Sequence, residues 1–158
     1  MATLIPSLSS CLRRMTSGEK RFAQRLETLL ASETLCWYDV ACGPRYQHPD
    51  FVVLHPQHGL VVLEVRDWTH DRILALSRMS ISLLGKDGWQ DVGNPLEQAR
   101  QYALQIQRLL ARDPLLLTHA DDIQPNALRC PPGYGLVLSN ITRPLPTDRS
   151  TRAGAPLS

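Results

Sequence analysis

Two short apolar runs, residues 50–54 (DFVVL) and 60–65 (LVVLEV), constrain the fold of this chain more than any other feature. Val and Leu fill odd and even positions alike, the pattern of strands covered on both faces. Between the runs, His55-Pro56-Gln57-His58-Gly59 supplies the Pro and Gly of a turn. The pair therefore predicts a hairpin in the interior of a sheet. With 55–59 as the loop, Leu54 faces Leu60, and the same register sets Asp50 directly opposite Glu64. Such neighbours have Cβ atoms about 5 Å apart. Arg66, two positions past Glu64, points to the same face.

A carboxylate inside an apolar run is costly unless it is paired or bound to a metal. Two adjacent carboxylates repel, so a pKa rises or a cation sits between them. A hard divalent ion such as Mg²⁺ meets that demand with oxygen ligands. It can also activate water and neutralise charge on a scissile phosphate. The alternative is an ordinary salt-bridge cluster of Asp50 and Glu64 with Arg66 or Arg45 at a strand end.

The rest of the chain alternates helix and strand signals. Residues 1–15 read as a flexible lead-in. Thr16-Ser17-Gly18-Glu19 offers a capping box, with Thr16 as N-cap and Glu19 three residues on. Phe22, Leu26, Leu29 and Leu30 continue it at helical spacing to about Ser32. Residues 35–41 read as a strand, and residues 73–76 and 81–84 as further strands of a meander. Residues 85–88 (GKDG) form a turn. Asn94 as N-cap, Pro95 at the first position and Glu97 closing a capping box open a second helix. Its apolar stripe is Leu96, Ala99, Ala103, Ile106 and Leu110, and it runs to about Arg112. Residues 113–134 read as mostly loop, residues 135–139 as a last strand, and 141–158 as a disordered tail.

The 158 residues suit one compact domain, spanning 16–140, and 43% apolar content permits a true core. No apolar run approaches the roughly 20 residues of a membrane helix. Arg13 and Arg14 follow the apolar part of the N-terminus, the reverse of a secretory signal, so a cytoplasmic protein is expected. Residues 15–128 carry 11 basic and 14 acidic groups, a net of −3, between basic flanks. That balance does not support a broad electrostatic DNA-binding face. Cys11, Cys36, Cys42 and Cys130 form no CxxC pair and read as reduced thiols. His48, His55 and His58 read as solvated loop histidines, Asp67 as a turn residue, and Trp68 as packing at a strand end.

Pro49-Asp50, thirteen residues, then Glu64-Val65-Arg66 resembles the PD-(D/E)xK nuclease signature. Four strings resemble the NERD (nuclease-related) domain in order and spacing: Ser17-Gly18-Glu19, residues 48–53 (HPDFVV), residues 59–68 (GLVVLEVRDW) and residues 94–98 (NPLEQ). Gln98 and Tyr102 resemble the Gln/Tyr helix motif of RecB-type nucleases. The resemblance implies an α/β, restriction-endonuclease-like core, a central mixed sheet with flanking helices. It implies Mg²⁺ or Mn²⁺ held by Asp50, Glu64 and the Val65 carbonyl. Glu19 would approach from the first helix, Gln98 would steer water or bind phosphate, and Tyr102 lies one turn on. DNA is the implied substrate, and a helicase or other ATPase an implied partner. The family pattern has Lys where this chain has Arg66. Arg keeps its proton and cannot act as a base, but its planar fork can clamp a phosphate. A catalytically impaired nucleic-acid-binding or adaptor module is the alternative function.

Overall fold

The computed structural model describes residues 1–42, 47–119 and 122–141. In chain order the elements are β1 (Thr3–Ile5), α1 (Leu8–Cys11), α2 (Ser17–Leu29), β2 (Leu35–Tyr38), β3 (Phe51–His55), β4 (Gly59–Arg66), β5 (Ile73–Leu76), β6 (Ser80–Gly85), β7 (Gly88–Gly93), α3 (Pro95–Leu110) and β8 (Gly133–Leu138). Single 3₁₀ turns occupy His70–Arg72 and Pro114–Leu116.

The architecture is α/β. The main sheet has the order β1-β2-β3-β4-β8 and is mixed. β3 is antiparallel to both neighbours, while β1 runs parallel to β2 and β8 parallel to β4. Strands β5, β6 and β7 form a separate antiparallel meander. The central hairpin has the register expected from its turn, with Leu54 opposite Leu60 and Phe51 opposite Leu63. Gly59 closes the turn at φ +78°, where a side chain would be strained and a Cβ would press on the Cys130 sulfur.

Alternation along β3 and β4 makes two apolar layers. Phe51, Val53 and Val65 pack with Ala23, Leu26, Cys36 and Tyr38 on the α2 side. Phe22 meets Phe51 edge-on, with ring centroids 5.2 Å apart. Val52, Leu60 and Val62 pack with Ala103 and Ile106 on the α3 side. Both helices start where the sequence puts them. Thr16 Oγ1 accepts from the Glu19 N–H, and Glu19 Oε2 accepts from the Thr16 N–H, completing the capping box. Asn94 caps α3 by accepting from Leu96 N–H. Glu97 does not reach back to close a second box. Its carboxylate accepts two hydrogen bonds from Arg100 at 2.8 and 2.6 Å, because a bidentate charged donor outcompetes a neutral backbone N–H.

Several segments differ from the sequence expectation. Residues 1–15 are not a loose lead-in: β1 pairs with β2, and Ala2, Leu4, Cys11 and Met15 are buried in the α2-side core. A three-residue strand with one inward side chain leaves no periodic signal, and its partner lies 32 positions on. β7 was absent from the expected elements because its sequence, GWQDVG, is solvent-facing and has no apolar alternation. β2 stops at Tyr38, where Asp39 turns the chain with φ +53°. β8 begins at Gly133, two residues early. Among 113–134 the described residues are chiefly loop, tied by a bridge between Leu117 and Leu128. Of the expected tail, 142–158 lies outside the described residues.

Asp67, expected as a plain turn residue, fastens α2 to the sheet. Its Oδ2 accepts from Gly18 N–H at 3.1 Å and Ser17 Oγ at 3.2 Å, and its Oδ1 accepts from the Ser139 hydroxyl. Arg21 donates to Ser139 and Asn140 beside it. Burial opposes ionisation of Asp67, but the bonds from Ser139, Gly18 and Ser17 outweigh it and hold the carboxyl below its usual value. Any Cβ on Gly18 would fall on Asp67 Oδ1. Asp67→Asn and Gly18→Ala should each cost about 1–2 kcal/mol in urea unfolding, and the double variant should cost clearly less than their sum. The ionised carboxylate stabilises the fold above the ordinary carboxylate range, and that contribution is lost as pH falls through the lowered value. Asp67→Asn should therefore remove part of the acid-side loss of stability.

Candidate functional site

The ends of β3 and β4 bring three charged groups together. Asp50 immediately precedes β3, so it falls opposite Glu64 in the hairpin register. Asp50 N–H donates to Glu64 Oε1 at 3.2 Å, and Val65 N–H donates to Asp50 Oδ2 at 2.8 Å. Each carboxylate thus satisfies a backbone donor of the other strand. Both side chains belong to the α3 side by alternation.

Arg66 binds across them. Its Nη1 donates to Asp50 Oδ2 at 2.8 Å and to the Val65 carbonyl at 2.7 Å; its Nη2 donates to Glu64 Oε2 at 2.7 Å. Glu64 is 3% exposed. Burial, and then the charge of Asp50, push its carboxyl up to about 7, with Arg66 and the Asp50 N–H opposing. Two carboxylates and one carbonyl already hold a cation here, so the donor set suits a hard divalent ion in kind. Asp50, Glu64 and the Val65 oxygen are the atoms that would hold it. Among the described residues no group of three His, Cys, Asp or Glu side chains converges, so the site offers two side chains and a main-chain oxygen.

The first turns of α3 overhang this cluster. Gln98 Oε1 lies 3.4 Å from Arg66 Nη2, at the outer limit of a hydrogen bond. Tyr102 is half-buried one turn further. Burial and the Glu64 and Asp50 charges raise its hydroxyl pKa, so it remains a donor. Glu19 sits apart from these groups. It is buried on the α2 side, where its Oε2 accepts from Tyr38 Oη at 2.9 Å as well as from the Thr16 N–H. It makes no hydrogen bond to Asp50, Glu64 or Arg66. Neither Lys20 nor Lys86 pairs with the two acids among the described residues, and Arg45 lies outside them.

A histidine the sequence left unpartnered has a partner. His48 Nδ1 lies 3.1 Å from both the carboxylate and the carbonyl of Asp39, and Arg14 binds the other Asp39 oxygen at 3.0 Å. Both contacts of Nδ1 are acceptors, so the ring proton resides there. The string His48-Pro49-Asp50 shows the histidine near the site; it cannot show Asp39, which reaches it from the end of β2. His55 Nδ1 accepts from the Gln57 and His58 N–H groups and shapes the hairpin turn.

Because its carboxyl is raised, Glu64 takes up a proton on folding. Its contribution to stability is full below the ordinary carboxylate value and is lost as pH rises through about 7. Glu64→Gln, neutral at every pH, should gain on the wild type between pH 5 and pH 8 by more than about 1 kcal/mol. Urea unfolding at both pH values checks this.

No described helix is long and apolar enough to cross a membrane. No curated protein and no solved structure matches the chain. The family model for the nuclease-related domain, NERD, matches residues 14–127, a span that takes in the α2 cap, the central hairpin with Asp50 and Glu64, and all of α3. The mixed sheet with helices on both faces is consistent with a restriction-endonuclease-like core. The chain belongs to the NERD, or nuclease-related domain, family.

Proposed function

We propose that this domain hydrolyses DNA phosphodiester bonds at the ends of β3 and β4, with Mg²⁺ or Mn²⁺ held by Asp50, Glu64 and the Val65 carbonyl. The observation that carries this reading is the convergence of those three oxygen donors on one cation, each within 2.8 Å of it. A hard divalent ion there supplies Lewis acidity for the scissile phosphate.

The chain's own residues supply the rest. Arg66 cannot take a proton, so it serves as a phosphate clamp, using the fork that now grips the acids. Gln98, exposed at the start of α3, offers an amide to orient water or a phosphate oxygen. Tyr102 keeps its proton and can donate to a developing negative charge. Glu19 acts as a positioning residue: it ties the α2 cap to Tyr38, whose backbone pairs with Phe51, the residue after Asp50. The acidic balance of residues 15–128 favours a local grip on one or two phosphates over a long electrostatic track. A cytoplasmic setting with an ATPase partner belongs to the same reading.

A second reading is a binding or adaptor module without turnover. The full engagement of Arg66 with the acids favours it. Incubating the chain with linear and single-stranded DNA plus Mg²⁺ or Mn²⁺ separates the two. Cleavage should appear with metal and fall about 100-fold or more in Asp50→Ala and in Glu64→Ala. DNA binding without cleavage under either metal would establish the adaptor instead.

A further inference from the structure

Arg66 places one guanidinium on three oxygens from three different residues: Asp50 Oδ2, Glu64 Oε2 and the Val65 carbonyl, at 2.7–2.8 Å. These are the same oxygens to which the reading above assigns the divalent ion. The two cations cannot share them. Ligand oxygens sit about 2.1 Å from Mg²⁺, which would force the ion against the positively charged fork. An ion that takes these three oxygens therefore requires Arg66 to leave.

Two routes of departure are closed. Arg does not lose its proton in proteins, so it cannot be released as a neutral side chain. Gln98, its one neutral side-chain partner among the described residues, is 3.4 Å away and too weak a partner to draw it off. What remains is an anion that matches the fork, and a phosphate does so bidentately. The charge count agrees. With both carboxylates ionised, they and one guanidinium sum to one negative charge. A divalent ion alone turns this to one positive, and a single phosphodiester restores neutrality.

We propose that divalent ion and DNA phosphate load this site together, with Arg66 acting as a gate that occupies the ion's ligands until a phosphate takes it. The proposal rests on the metal-site reading of the preceding section and adds the coupling between the two ligands.

The test is Mn²⁺ binding by the full chain, read from the paramagnetic resonance of free ion and by calorimetry. Wild type and Arg66→Gln are compared, each with and without a short DNA duplex. Without DNA, Arg66→Gln should bind Mn²⁺ about tenfold or more tightly than wild type. The duplex should raise wild-type affinity by a similar factor and leave Arg66→Gln nearly unchanged. A methylphosphonate duplex, which lacks the charge, should do nothing to wild type. Circular dichroism melts establish that the variants fold. If Arg66→Gln does not fold, Arg66→Lys carries the same comparison, since one ammonium lacks the fork that spans all three oxygens.

Equal Mn²⁺ affinity in wild type and variant, or no effect of the duplex on wild type, overturns the gate and leaves the metal site standing. Absence of Mn²⁺ binding in every variant, with and without DNA, overturns both. Coupled binding without DNA cleavage supports the gate and removes only the hydrolytic step.

Discussion

Glu64 is a carboxylate sealed into a strand beside a second carboxylate, and the end of the sheet is organised around making that tolerable. Arg66 provides the charge, and the Asp50 N–H provides a backbone donor. Asp50 in turn accepts from Val65 N–H and Arg66. All of these bonds depend on the hairpin register. A slip of one residue would send Glu64 to the α2 side, the apolar layer of Phe51 and Val53. A slip of two would keep its face and lose its partner. The cluster and the register therefore enforce each other.

The next residue, Asp67, extends the same logic outward. By gripping Gly18 and Ser17 it fixes the start of α2 against the end of β4, and through Ser139 it reaches the end of β8. Three elements far apart in the chain thus meet within two residues of the charged site. The helix on the other face contributes Gln98 and Tyr102 from its first turns, because Asn94 and Pro95 set where that helix begins. Apolar layers on both faces hold the sheet, while the polar bonds at one end set the geometry on which chemistry would rely.

The hairpin, both helix starts and the opposition of Asp50 and Glu64 were legible because each is written locally. Alternation, a Pro–Gly turn and capping residues act over a few positions, so a count along the chain suffices. The resemblance to the nuclease-related domain rested on those same strings and is matched by the family model. What escaped the count was contact between distant segments. β1 has one inward residue and a partner far along the chain, and β7 is polar on a solvent-facing sheet. The pairing of His48 with Asp39 joins two loops. Asp67 looked like a turn residue because its partners lie 49 and 72 positions away.

The amino-acid order by itself determined the facing acids and the cation beside them, since a period of two and a short turn that sets Leu54 against Leu60 leave one register that buries both strands. Tertiary structure alone decided which groups those acids bind. It gave the guanidinium of Arg66 all three oxygens, and it turned Glu19 toward Tyr38 on the opposite layer. The reason is that a side chain's partner is set by distance and competition among every donor within reach. Sequence spacing records neither across a fold in which the two layers and three strand ends converge.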